Sequence, residues 1–137
     1  MADIAVTAAQ VAVLFPHTAE VYSFIAAETI TAGQAVYFTS AGKVGIADAN
    51  ASGKQQVRGI ALNGAGAGQA VDVVKRGHVA GFTLGTYNTL VYLSDNAGAL
   101  ADAAGTVSAA VGRIVALSDS ALSKALYVDL SWTAVYA

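Results

Sequence analysis

Apolar and polar positions alternate in short runs along most of this chain, with the two-residue period of strands. Val21, Ser23 and Ile25 oppose Tyr22 and Phe24 in a run rich in β-forming residues. Ala32-Gly33-Gln34 predicts a turn, Ala35 to Thr39 a strand, and Ser40-Ala41-Gly42-Lys43 a second turn leading into Val44-Gly45-Ile46. Asp48 to Lys54 is small and polar, hence a loop. Val57 to Leu62 and Ala70 to Lys75 read as strands bracketing Asn63-Gly64-Ala65-Gly66-Ala67-Gly68, and His78 to Leu84 continues the sheet. Further strands fall near 89–93, 111–117 and 125–131. Glycine interrupts every longer window beyond residue 32, so long helices are not expected.

These runs repeat. Ala35-Val36-Tyr37-Phe38-Thr39-Ser40-Ala41-Gly42 recurs loosely as Leu90-Val91-Tyr92-Leu93-Ser94-Asp95-Asn96-Ala97-Gly98. Val57-Arg58-Gly59-Ile60 recurs as Val111-Gly112-Arg113-Ile114, and Gln69 to Val73 as Lys124 to Val128. The offsets are 91 − 36 = 55, 114 − 60 = 54 and 128 − 73 = 55. Two copies make a pseudo-symmetric domain rather than a solenoid. The expected fold is all-β: a small single-domain β-sandwich or β-barrel with an internal pseudo-two-fold repeat and an N-terminal arm. The arm covers 1–19 and the β domain 20–137, with copy one at about 30–84 and copy two at about 85–137.

The first twenty residues lie outside the repeat. Val6 to Phe15 is apolar and free of glycine, and it ends at the single proline, Pro16. A short helix from Thr7 as N-cap through Leu14 fits the Ala and Gln content. An extended arm fits equally, because Val11, Val13 and Phe15 alternate, and Pro16 biases Phe15 toward extended backbone. Such a segment is either a strand of the domain or a tail docked on a neighbour. The tail is favoured, which makes Val11, Val13, Leu14, Phe15 and Pro16 candidate interface residues.

Composition narrows the function. Charged residues make up 12% of the chain and apolar residues 55%, much of the latter alanine. The mean hydropathy is +0.56, yet no apolar run approaches the roughly 18 to 20 residues that span a bilayer. Met1-Ala2-Asp3-Ile4 lacks the basic and apolar regions of a signal peptide. No membrane role is therefore expected. So little charge predicts that part of the surface is covered by something else, the alternative being an Ala- and Gly-rich surface that is simply neutral. Net charge is −2 with seven scattered basic residues, whereas nucleic-acid binding needs clustered Lys and Arg. The absence of cysteine removes disulfides, thiolate metal sites and cysteine nucleophiles.

Candidate chemistry is sparse. Gly64-Ala65-Gly66-Ala67-Gly68 lacks the third glycine of a dinucleotide fingerprint, and a strand follows it rather than a helix. An interstrand loop explains it. His17 and His78 have no second ligand at metal-binding spacing. No serine sits in a nucleophile elbow, and Asp95-Asn96-Ala97-Gly98 is turn chemistry. Neither an enzyme nor a cofactor is expected. Lys75-Arg76-Gly77-His78 is the one basic cluster; it suits a strand end or a salt bridge to a neighbouring subunit, so Arg76 and His78 join the interface candidates. Trp132, with Tyr136, is either an interface anchor or a core residue.

One resemblance covers nearly the whole chain from about Thr7. Ile30-Thr31-Ala32-Gly33-Gln34-Ala35-Val36-Tyr37, then Ser40 to Val44, Arg58-Gly59-Ile60-Ala61-Leu62, Ala67 to Val71 and Val74-Lys75-Arg76-Gly77 resemble the small capsid decoration, or cement, proteins of tailed bacteriophages. Val91 to Asp95, Val111 to Ile114 and Leu126 to Asp129 look like that family's C-terminal half. The resemblance implies a structural protein on the outer surface of the virion capsid. It would bind the major capsid protein and itself, often as a homotrimer, with no nucleic acid and no catalytic residue. The alternative is a carbohydrate- or host-surface-binding β module. Such a module would expose clustered aromatics among polar neighbours, and the sequence shows no such cluster.

Overall fold

In a computed structural model, which describes residues 2–118, 121 and 123–137, the chain forms ten strands. They are β1 (Ala12–Val13), β2 (Glu20–Ile25), β3 (Ala35–Phe38), β4 (Val44–Ile46), β5 (Val57–Ala61), β6 (Ala70–Ala80), β7 (Leu90–Leu93), β8 (Leu100–Ala101), β9 (Ala110–Ala116) and β10 (Lys124–Asp129). All belong to one antiparallel sheet of order β4-β3-β5-β6-β10-β9-β7-β8, with β1 and β2 also paired to β6. The sheet curls into a half-barrel, as the short alternating runs predict. Among the described residues the only helical turns are of 3-10 type, at Ala8–Gln10 and Pro16–Thr18.

The eleven-residue β6 organises the whole. Val73 pairs with Tyr22 on one edge and Ala61 on the other; Arg76 pairs with Glu20 and Asp129; Val79 pairs with Val13 and Leu126. One edge of β6 therefore carries β5 and β10 end to end. The other carries β1 and β2 end to end. A bulge places Lys75 between the Val21–Val74 and Glu20–Arg76 pairs, which shifts the alternation of inward positions along the strand. Val71 and Val73 consequently enter one core, with Ile30, Val36, Val44 and Ala61. Val74 and Val79, five positions apart, enter a second with Val57, Ile60, Leu93, Val111, Leu126 and Leu130.

The repeat is visible as matched pairings. Val36 faces Gly59 and Tyr37 faces Val57, leaving Arg58 as an extra residue; Val91 faces Gly112 and Tyr92 faces Ala110, leaving Val111 extra. The same bulge thus occurs in both copies. Gly33 N–H donates to Ala61 C=O and Ala61 N–H to Gln34 C=O; Asn88 N–H donates to Ile114 C=O and Ile114 N–H to Thr89 C=O. Gly33 has φ +92°, and Asn88, at φ +67°, is the one non-glycine residue with positive φ among those described. Asn tolerates that left-handed geometry better than other side chains.

These pairings correct the alignment of the repeat. The offset is 55 in β3 and β7 (91 − 36), but 53 in β5 and β9 (112 − 59) and in β6 and β10 (126 − 73). Sequence similarity superposes Ile60 on Ile114; the structure superposes Gly59 on Gly112. Both glycines are needed, because a Cβ at Gly112 would collide with the carbonyl oxygen of Tyr127 and one at Gly59 with the Val73 side chain. The unit also begins earlier than residue 30. Tyr22 lies beside Val73 as Val79 lies beside Leu126, so the distal half of β6 is the counterpart of β2.

The N-terminal segment is laid along the domain's own sheet. No helix spans Thr7 to Leu14; beyond one 3-10 turn the segment is extended. Thr7 N–H donates to Gly81 C=O, Thr83 N–H to Ala5 C=O, and Leu14 N–H to His78 C=O, and β1 pairs with β6. Val11 is buried in the larger core. Gly81 makes room for it: a Cβ there would lie 2.8 Å from the Val11 Cα. Burying such a side chain contributes roughly 1.5–3 kcal/mol.

Candidate functional site

The structure gathers some of the interface candidates and separates others. Val11 is a core residue, which corrects its expected place at an interface. Val13 and Leu14 are half-buried against β6. Phe15 and Pro16 are exposed, and Phe15 packs its ring edge-on to His78 with centroids 5.0 Å apart. His78 in turn packs against Tyr127, 5.1 Å away across the β6–β10 pair. Beside this row, Arg76 Nε donates to Asp129 at 3.1 Å, and its guanidinium lies 3.5 Å from Glu20. Asp129 and then Glu20 hold the Arg76 pKa above its usual value. Phe15, Arg76 and His78 thus share the outer side of β6, next to a trough of about 310 Å³ lined by Leu90, Ala110, Gly112, Val115 and Tyr127.

Trp132 lies elsewhere. Its ring packs 4.8 Å from Tyr22, 5.2 Å from Phe38 and 6.1 Å from Phe24, with Lys75 Nζ 5.3 Å from its centroid. Its indole N–H donates to Arg58 C=O at 2.9 Å. The guanidinium of Arg58 bonds the carbonyls of Ser131 and Ala134, and Gln56 exchanges two bonds with the Tyr136 backbone. The C-terminal segment is thereby strapped across β5. Burial pushes the Tyr136 phenol up, with Arg58 pulling the other way. At the cluster's rim the Tyr22 hydroxyl donates to Glu20, and that bond is the main reason its pKa is raised.

Four aromatic side chains therefore converge from two strands, β2 and β3, and the C-terminal tail, an arrangement no local run of sequence displays. The exposed apolar residues are also unevenly placed. Seven large ones are exposed among the described residues, and five of them, Val6, Phe15, Val21, Tyr22 and Ile25, come from the N-terminal segment and β2. Alternation identified the β2 run but not which strand edge it would occupy.

A cleft of about 450 Å³ opens between the N-terminus and the 83–89 loop. Its carboxylates are engaged: Asp102 accepts the Ala2 N–H, and Asp3 accepts Ser94 and Asn96 side chains. Among the described residues no cluster of three metal-ligating side chains occurs, and no helix is long and apolar enough to cross a membrane. No known protein family, curated protein or solved structure matches the chain.

Proposed function

We propose that this protein is a structural decoration protein that binds the outer surface of a tailed-phage head and braces the lattice of its major capsid protein. The observation that carries the reading is the concentration of exposed apolar side chains on one segment, from Val6 to Ile25. Apolar exposure gathered in this way marks association rather than chemistry. The low charge and the strand-and-turn motifs resembling cement proteins support the same role. A clip that binds only the assembled, expanded lattice stabilises that state by mass action, and many symmetric copies add avidity. Self-association, as a trimer or otherwise, belongs to the same proposal.

The test is reconstitution. Expanded heads lacking any decoration protein are mixed with the purified chain and heated, and DNA release is followed. Release at a higher temperature, saturating at a fixed ratio of chain to shell subunit, is the expected result. Unchanged release with no chain co-sedimenting overturns the reading.

The Tyr22–Phe24–Phe38–Trp132 cluster favours a second reading, a carbohydrate-binding module, because aromatic faces beside Lys75 and Glu20 suit sugar stacking. Against it, the rings pack on one another and the indole N–H is already used. Quenching or shifting of Trp132 fluorescence by glycans, without affinity for heads, would favour this module.

A further inference from the structure

The two halves treat equivalent strand edges differently. The distal half of β6 is the counterpart of β2, and its outer edge is covered by β1, with Val13 opposite Val79 and Leu14 N–H donating to His78 C=O. The corresponding edge of β2 carries no strand among the described residues. Ala26 N–H donates to Gln69 C=O and Gly68 N–H to Ala26 C=O, so even-numbered residues of β2 direct their backbone groups toward β6. By alternation, the N–H and C=O of Val21, Ser23 and Ile25 point outward, away from β6. All three residues are exposed, and the run contains neither the Lys nor the Pro that usually blunts an edge.

We infer that β2 is a self-pairing edge: two copies join antiparallel about a two-fold axis at Ser23. The sequence Val21-Tyr22-Ser23-Phe24-Ile25 is a hydrophobic palindrome. In this register Val21 of each copy faces Ile25 of the other, Tyr22 faces Phe24, and Ser23 faces its own equivalent. Every residue with outward backbone groups then meets another of the same kind, so each facing pair exchanges two hydrogen bonds. An isologous contact requires this self-complementarity. The ladder ends where the chain's own strand takes over, since Ala27 N–H donates to Val44 C=O. The β1-covered edge in the other half shows that the curvature of the fold accommodates a strand in this place.

A seam of five residues per copy lies at the low end of interface sizes, so the dimer is expected to be weak, with a dissociation constant between about 10 µM and about 1 mM. Such a dimer links decoration units in pairs, and any trimer would use other surfaces. Sedimentation equilibrium on the full chain tests it, with two charge variants read against wild type. Val21→Lys with Ile25→Lys places like charges opposite each other at both ends and weakens the dimer roughly 50-fold. Val21→Lys with Ile25→Glu places opposite charges there and keeps the dimer within about tenfold of wild type, with added salt sensitivity. Wild type that stays monomeric at about 1 mM, or a Lys/Lys variant that associates like wild type, overturns the inference. Should either variant misfold by circular dichroism, amide exchange in wild type decides. Protection of Val21, Ser23 and Ile25 that rises with concentration supports the seam; concentration-independent exchange refutes it.

Discussion

The burial of Val11 makes the N-terminal segment part of the fold, and Val11→Ala measures by how much. The substitution removes two methyl groups from a side chain that is 9% exposed and packed in the larger core. At about 0.8 kcal/mol per buried methylene the transfer loss is roughly 1.6 kcal/mol, and a partly collapsed cavity brings the total to about 2–3 kcal/mol. The site cannot collapse freely, because Gly81 holds its backbone against the Val11 backbone. Urea unfolding followed by the fluorescence of Trp132, the one tryptophan, reads the loss directly. With a slope of about 2 kcal/mol per molar urea, the midpoint falls by roughly 1 M, and the melting temperature by about 8 °C. Val135→Ala, at a residue 82% exposed, is the control and shifts stability by less than about 0.5 kcal/mol. Equal midpoints for the two variants would show that the segment is a detachable arm and that its pairing with β6 contributes nothing.

Other expectations follow from single features. Gly112→Ala pushes a Cβ onto the Tyr127 carbonyl and to 3.1 Å from the Val128 Cα, and lowers stability by about 2–3 kcal/mol in calorimetry. Gly53→Ala, at φ +82° with no atom within 4 Å, loses only about 1 kcal/mol. Trp132→Ala removes three ring contacts and the bond to Arg58, costs about 2 kcal/mol because the ring is half-buried, and accelerates proteolysis of the C-terminal segment. The Tyr136 phenol is held neutral by burial, so its folded pKa lies above the usual 10.0. Its contribution is complete below pH 10 and is lost as pH rises from there through the folded value. Tyr136→Phe should therefore show a shallower decline in stability above pH 10 than wild type, and equal slopes would contradict the assignment.

Strands and turns were legible because alternation and glycine placement are local signals. The β2 run, the Gly42 turn and the duplicated tyrosine strands all stand where the pattern predicts them. The register of the repeat was not legible. The stretch between the paired strands is two residues shorter in the second copy (91 − 36 = 55 but 112 − 59 = 53), and similarity of side chains favours an alignment one position off in β5 and β9 and two off in β6 and β10. The destiny of the N-terminal segment was also hidden. Val11, Val13 and Phe15 alternate as well in a docked tail as in an edge strand, and only the long β6 decides between them. His78 and Arg76 were found through charge clustering; the rings and carboxylates that engage them come from β2, β10 and the Phe15 turn. The aromatic cluster around Trp132 draws on residues more than a hundred positions apart, beyond any motif.

The proposed association of this chain with a phage shell is tested most directly by its stoichiometry in purified particles. Quantitative mass spectrometry of density-banded virions compares the chain with the major capsid protein. A fixed ratio set by the lattice, unchanged through repeated banding and lost together with the shell, is the predicted result. A chain that is missing from the banded particles, or whose ratio drifts from one preparation to the next, would contradict a cementing role.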